Sequence, residues 1–206
     1  MKKTVLLSLL LSNLAFAGEK ESCEKVESKF NESQKRILSH AYAYGKPYDV
    51  GYSLAAIAWE ESSAGEVLLN PKDPSAGIYQ NHVVYALKRE GIKNNYANRS
   101  DMLLQLATNE LKSTAHGISE LVHWVGRRDS WKEVWASYNG GVNYKGKQAR
   151  DYAEKVYSKL KTLKRCKNIL KLKSLSELDV SVFYEVERLE NKKPKLDVLK
   201  VWRELI

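Results

Sequence analysis

Apolar side chains recur at three- and four-residue intervals along almost the whole chain. No other feature constrains the fold as much. On an α-helix such positions share one face, whereas a half-buried strand needs strict alternation. In residues 30–44 the apolar set is Phe30, Ile37, Ala41 and Tyr44, and Gly45 and Pro47 end the segment. The same spacing predicts helices over 50–63, 81–90, 130–138 and from 148 to about 166. Ser100-Asp101 reads as the cap of a long helix reaching Val125. Between 64 and 80 the breakers Gly65, Asn70-Pro71, Asp73-Pro74 and Gly77 mark a long loop. Gly140-Gly141 stops the helix at 130–138. The expected class is therefore mainly α, without internal repeats.

The ends of the chain differ from its middle. Residues 1–17 carry Lys2 and Lys3, then an apolar centre from Val5 to Leu11, then Ala15-Phe16-Ala17. That is the layout of a secretory signal peptide, and the apolar part is too short to span a bilayer. No other stretch reads as a membrane span. The expectation is an exported protein, periplasmic or secreted, whose main domain runs over 18–166. In an oxidising compartment the two cysteines, Cys23 and Cys166, are expected to form a disulfide. Beyond Cys166, residues 167–206 form a basic extension. Ser174 to Glu177 reads there as a capping box, with Leu175, Leu178, Val182, Val186 and Leu189 on one helical face. Val180, Val182, Tyr184 and Val186 also alternate, which leaves a strand open. Pro194 fits the first turn of a last helix ending in "VWRELI".

Composition narrows the partners. With 43% apolar and 29% charged residues, disorder throughout is excluded. The formal charge of +9 becomes +7 once Lys2 and Lys3 leave with the signal segment. An exported cation of this kind favours anionic polymers or membrane surfaces. No nucleic-acid motif accompanies the charge.

Glu60 and Glu61 stand side by side in the apolar run "AIAWEESSAG". Leu54, Ile57, Ala58 and Glu61 follow i, i+3, i+4, i+7 spacing and share a face. Glu60 is turned about 100° away, toward solvent. A carboxyl on the inner face has a raised pKa, because burial disfavours its charged form, and is thereby suited to donate a proton near neutrality. The alternative is a structural carboxylate held by backbone amides or a lysine.

Four short motifs follow one another in order: Glu61-Ser62, Gly77-Ile78-Tyr79-Gln80, Ala136-Ser137-Tyr138-Asn139-Gly140-Gly141, and Tyr152. With them the chain, over roughly residues 30–160, resembles the soluble lytic transglycosylase (SLT) catalytic domain, a lysozyme-like fold acting on peptidoglycan. The resemblance implies a lysozyme-like helical domain with a small C-terminal helical extension. It also implies cleavage of the MurNAc–GlcNAc β-1,4 bond. Glu61 first protonates the bridging oxygen and then acts as base, while the sugar's own 6-hydroxyl attacks, leaving 1,6-anhydroMurNAc ends. No cofactor or metal is implied. Ser62, Gln80, Tyr138, Asn139 and Tyr152 become candidate substrate-binding residues. Ser62 can instead cap a turn, Tyr138 and Asn139 can end a helix, and Tyr152 can orient Glu61 or be a core tyrosine. The family usually reads Gly-Leu-Met-Gln where this chain has Ile78 and Tyr79, and both are expected to line the glycan pocket.

Two other readings stay open. A hydrolytic lysozyme ordinarily needs a second acid. Asp73 is the nearest in sequence, although Asp73-Pro74 is also a routine turn; Asp101 and Asp129 are more remote. A non-catalytic peptidoglycan-binding module is the third reading, its basic extension docking to an envelope or secretion complex. His116, Glu120 and His123 share a helix face but lack the His-Glu-x-x-His pattern, and the expectation is an exposed polar face rather than a metal site. Trp59, Trp124, Trp131 and Trp135 are expected in the core or cleft wall.

Overall fold

The structure is a computed structural model and describes residues 21–70 and 72–190. The expected signal segment and the expected last helix after Pro194 lie outside these residues. The described chain is mainly α. α1 (Cys23–Glu27) is capped by Ser22, and α2 (Glu32–Gly45) opens on a reciprocal capping box between Asn31 and Gln34. A 3₁₀ turn at Lys46–Tyr48 with Pro47 near its start leads into α3 (Gly51–Ser62). Two short antiparallel strands, β1 (Ser75–Ala76) and β2 (Asn81–His82), pair Ser75 with His82 and Ala76 with Asn81. Then come α4 (Val83–Glu90), α5 (Tyr96–Thr108), α6 (Glu110–Val125), α7 (Trp131–Gly140), α8 (Lys147–Arg165) and α9 (Ser181–Leu189).

The long helix expected from Ser100 to Val125 is two helices. Asn95 caps α5, its Oδ1 accepting from the Asn98 amide at 2.9 Å, and Asn109 caps α6 in the same way through Lys112 at 2.9 Å. Asn109 sits in extended backbone at φ −110°, ψ 101°, which breaks the helical ladder there. Ser100 and Asp101 lie inside α5. The expected capping box at Ser174–Glu177 is a 3₁₀ turn instead, and α9 starts later, where Asp179 Oδ1 accepts from the Ser181 amide at 2.9 Å. The strand alternative for 180–186 does not form. α9 buries Val182, Phe183, Val186 and Leu189, a helical set.

α3 is buried nearly all round, with Leu54, Ala55, Ala56, Ile57 and Ala58 at 0% exposure. It is the central helix, covered by α2 and α8, with α6 beside it. A second apolar cluster of Ala76, Val83, Ala86, Leu87, Met102 and Leu106 holds the hairpin against α4 and α5. The expected disulfide is present. Cys23 and Cys166, 143 positions apart, come to a Cα–Cα distance of 5.3 Å and tie α1 to the end of α8. Closing so long a loop is worth about 5 kcal/mol in the chain-entropy account. After Cys166, the described residues 167–190 pack back on the domain: Ile169, Leu170, Leu178 and the inner face of α9 join the main core, and the Phe183 ring meets Tyr44 with centroids 5.8 Å apart. The apolar face of α9 is thus spent inside the molecule. Among the described residues no helix is long and apolar enough to cross a membrane.

Candidate active site

α3 ends abruptly, and the way it ends sets the site. Ser63 and Ala64 take left-handed backbone (φ 52° and 57°) and Gly65 follows at φ 89°. The Ala64 amide donates back to Ala58 O at 2.9 Å, and Gln34 Nε2 donates to Ser63 O at 2.8 Å. Ser62 completes the knot. Its hydroxyl donates to Ile78 O at 2.7 Å and accepts from the Gly65 amide at 2.8 Å, with the residue 1% exposed. Of the two roles expected of Ser62, this geometry is that of the turn cap, its hydroxyl being hydrogen-bonded within the protein. Ser62 welds the helix end to the loop that carries Gly77 to Gln80.

Glu61 stands on the last turn of α3, partly open to solvent as a residue but with its carboxyl enclosed. Tyr152 of α8 donates its phenol to Glu61 Oε1 at 2.6 Å. Burial raises the Glu61 pKa from 4.5 to about 7. The Tyr152 hydrogen bond pulls it back, and the charges of Glu60 and Asp73 push it further up. Tyr138 of α7 is close enough that the Glu61 charge, after burial, helps raise its own pKa; its phenol donates to Tyr79 O at 3.0 Å. Three central helices thus bring an acid and two phenols to one point.

The remaining candidates sit around this point. Gln80, in left-handed backbone at φ 45°, donates its amide to Val67 O and Gly77 O, both at 3.1 Å. Those donors brace the loop and are not offered to sugar hydroxyls. Its Oε1 is buried without a partner among the described residues and is the one group of Gln80 left unspent. Asn139 is exposed and lines, with Lys147, Gln148, Asp151, Lys155 and the Tyr152 that holds Glu61, an open depression of about 560 Å³.

Several expectations are corrected here. Glu60 does not face solvent. α8 covers it, leaving its side chain 14% exposed, ion-paired with Lys159 and, at 3.5 Å, with Lys155. Ile78 and Tyr79 are core residues at 5% and 1% exposure, not pocket walls. The Tyr79 ring lies against Gly117 of α6, where an added Cβ would come within 2.8 Å of it, so a glycine makes room for the ring. The face of His116, Glu120 and His123 is not an exposed one. His116 is fully buried and meets Glu90 at 3.1 Å, Glu120 pairs with Arg89 and accepts from the Trp124 indole, and His123 meets Trp124 edge-on. Of the tryptophans, Trp124 and Trp135 are core, Trp59 packs edge-on against Phe30, and Trp131 stays 41% exposed. Among the described residues no group of three or more His, Cys, Asp or Glu is placed to hold a metal. The ion pair of Arg89 and Glu120, which lies within electrostatic reach of Tyr138, was not legible beforehand. Its members are on different helices, and no local spacing links them.

No family model and no solved structure matches the chain. The chain is similar to an uncharacterized 20.7 kDa protein encoded in the vs-regB intergenic region of Enterobacteria phage T4. The two are 27% identical over 186 residues, covering 81% of this chain and 96% of that one.

Proposed function

We propose that the protein is an exported peptidoglycan lytic transglycosylase of lysozyme-like fold, with Glu61 as its general acid and then base. One observation carries the reading: a carboxyl at the end of a buried helix, held by a tyrosine phenol at 2.6 Å and with its pKa raised to about 7. Such a group is protonated in a large fraction of molecules near neutrality and still gives up its proton readily, which is what departure of a glycosidic oxygen requires. Tyr152 keeps the carboxyl aimed, and Tyr138 adds a second phenol beside it. When the glycosidic bond breaks, Glu61 becomes a carboxylate, and the donated Tyr152 hydrogen bond stabilises that charge. The carboxylate then takes the proton of the sugar's 6-hydroxyl as this oxygen closes on the anomeric carbon. An attacking group already tethered to the sugar needs no positioned water. The ordered motifs around Glu61, Gln80, Tyr138-Asn139 and Tyr152 support the family, and the disulfide suits an oxidising compartment.

The decisive test is mass spectrometry of products released from murein sacculi by the purified protein. Anhydro ends from the intact protein, lost in E61Q by a factor on the order of 10²–10⁴, are the expected outcome. Absence of any released muropeptide rejects the enzyme reading. Hydrolysis is the second reading, favoured by Asp73, whose charge acts on Glu61 although its Oδ1 also accepts from the Ser75 hydroxyl at 3.1 Å, as a turn aspartate does. Reducing ends in place of anhydro ends select it.

A further inference from the structure

A second depression, of about 580 Å³, lies at the other end of the helices that carry Glu61, Tyr138 and Tyr152. On α3 it is lined by Gly51, Tyr52 and Ser53, at the opposite end of the helix from Glu61. Eight residues separate Ser53 from Glu61, about 12 Å at the helical rise. On α7 its residues are Trp131, Lys132 and Trp135, ahead of Tyr138 and Asn139. On α8 they are Tyr157, Leu160 and Lys164, beyond Tyr152. The two depressions are thus held apart by the rigid middle of the same three helices.

The walls have a definite chemistry. Trp131, Trp135 and Tyr157 form a staircase of nearly parallel rings, with centroids 6.0 and 5.9 Å apart and interplanar angles of 28° and 21°. Trp135 is buried, and its indole donates to Ser53 Oγ at 3.0 Å, so it is committed to the protein. Trp131 is the open step. Tyr42 and Tyr52 form the facing wall, with centroids 4.7 Å apart. Lys164 holds its ammonium 5.3 Å from the Tyr52 ring centre, and no acidic side chain among the described residues pairs with it. Lys132 is paired with Glu154 at 2.6 Å, and Asp49 is the acid of the lining. Exposed ring faces take the C–H faces of sugars. An unpaired ammonium at the rim takes a carboxylate.

We propose that this depression is a second binding site for an acidic glycan, taking a sugar ring on Trp131 and a carboxylate borne by that sugar or its peptide at Lys164. The proposal rests on the reading of peptidoglycan as the substrate and extends it. A strand held at Trp131 while another stretch, or a neighbouring strand, lies at Glu61 is gripped twice, and two grips raise retention on the polymer without new contacts at the reacting bond.

The test uses ¹⁵N-labelled E61Q protein titrated with soluble tetrasaccharide muropeptides carrying their stem peptides. The expected result is a saturable shift of the Trp131 indole signal, weaker with neutral chitotetraose. In protein with Glu61 intact, Trp131→Ala and Lys164→Glu are each expected to slow release from sacculi about tenfold. Turnover of the short soluble muropeptides should stay unchanged, because neither residue is near the reacting bond. Lys164 is exposed, so thermal unfolding of Lys164→Glu should stay near the parent's, whereas Trp131→Ala also loses its stacking on Trp135, and Lys164→Glu is the variant that separates binding from stability. An unmoved Trp131 signal overturns the proposal, as does a shift equally strong with anionic lipid vesicles or single-stranded oligonucleotides. So does unaltered sacculus digestion in both variants. Failure of this site leaves product release by the intact protein in place. Failure of the Glu61 reading appears as no product at all, independently of the Trp131 signal.

Discussion

At Glu61 burial and hydrogen bonding act in opposite directions, and burial wins. A carboxyl whose pKa rises from 4.5 to about 7 on folding binds a proton in the native state that the unfolded chain has already lost. Its favourable contribution is complete below pH 4.5 and disappears as the pH climbs through 7. Above that the native state carries a buried charge at a cost of about 3 kcal/mol. E61Q removes that cost. Its urea midpoint is therefore expected to exceed the parent's at pH 8 and to approach it at pH 4; an equal gap at both values contradicts the assignment. Tyr152→Phe deletes the one hydrogen bond that favours the carboxylate. The alkaline limb of the pH–rate profile is expected to move up by about one unit, with a several-fold lower kcat from the less constrained acid.

The loop element from Ser62 to Gln80 gives the site its shape through backbone fit. Gly77 is required there, not merely tolerated. Its φ is +82°, and a Cβ would stand 2.3 Å from Ser113 Oγ and 2.4 Å from Leu106 O. Gly77→Ala therefore meets both a disfavoured backbone and a backbone atom that has little room to yield, and is expected to cost roughly 3 kcal/mol. Chemical denaturation measures this, and activity should fall with it as Gln80 and the Ser62 weld lose register. The helices themselves were largely legible, because periodicity reports which face is inward. The ends of α5 and α6 were not. Asn95 and Asn109 cap them, but an asparagine within a helical pattern looks the same whether its side chain faces solvent or closes a turn.

At the scale of the whole molecule, an ion-pair cluster around the Glu90 carboxylate clasps α9 to the domain. Glu90 at the end of α4 meets His116 and Lys112 of α6 and Arg188 of α9. The His116 contact is the largest of the effects that hold its pKa down near 2. A carboxylate depressed in this way contributes stability that is present above 4.5 and is lost as the pH falls toward 2. Stability is expected to decline over that window, and Glu90→Gln should flatten the decline while lowering stability at pH 7. Equilibrium unfolding followed from pH 7 to 2 checks both. The sequence alone determined that the chain is mainly helical, that Glu61 lies on the inner face of its helix, and that two cysteines are available to pair, since each follows from local spacing or count. Only the tertiary structure decided that Glu60 is covered, that Ser62 and Gln80 spend their donors on the frame, and that Tyr152 reaches Glu61 from 91 positions away. It alone also placed an aromatic groove at the far end of the same helices. Those outcomes depend on which faces meet, and a face is shared by residues that lie far apart in the chain.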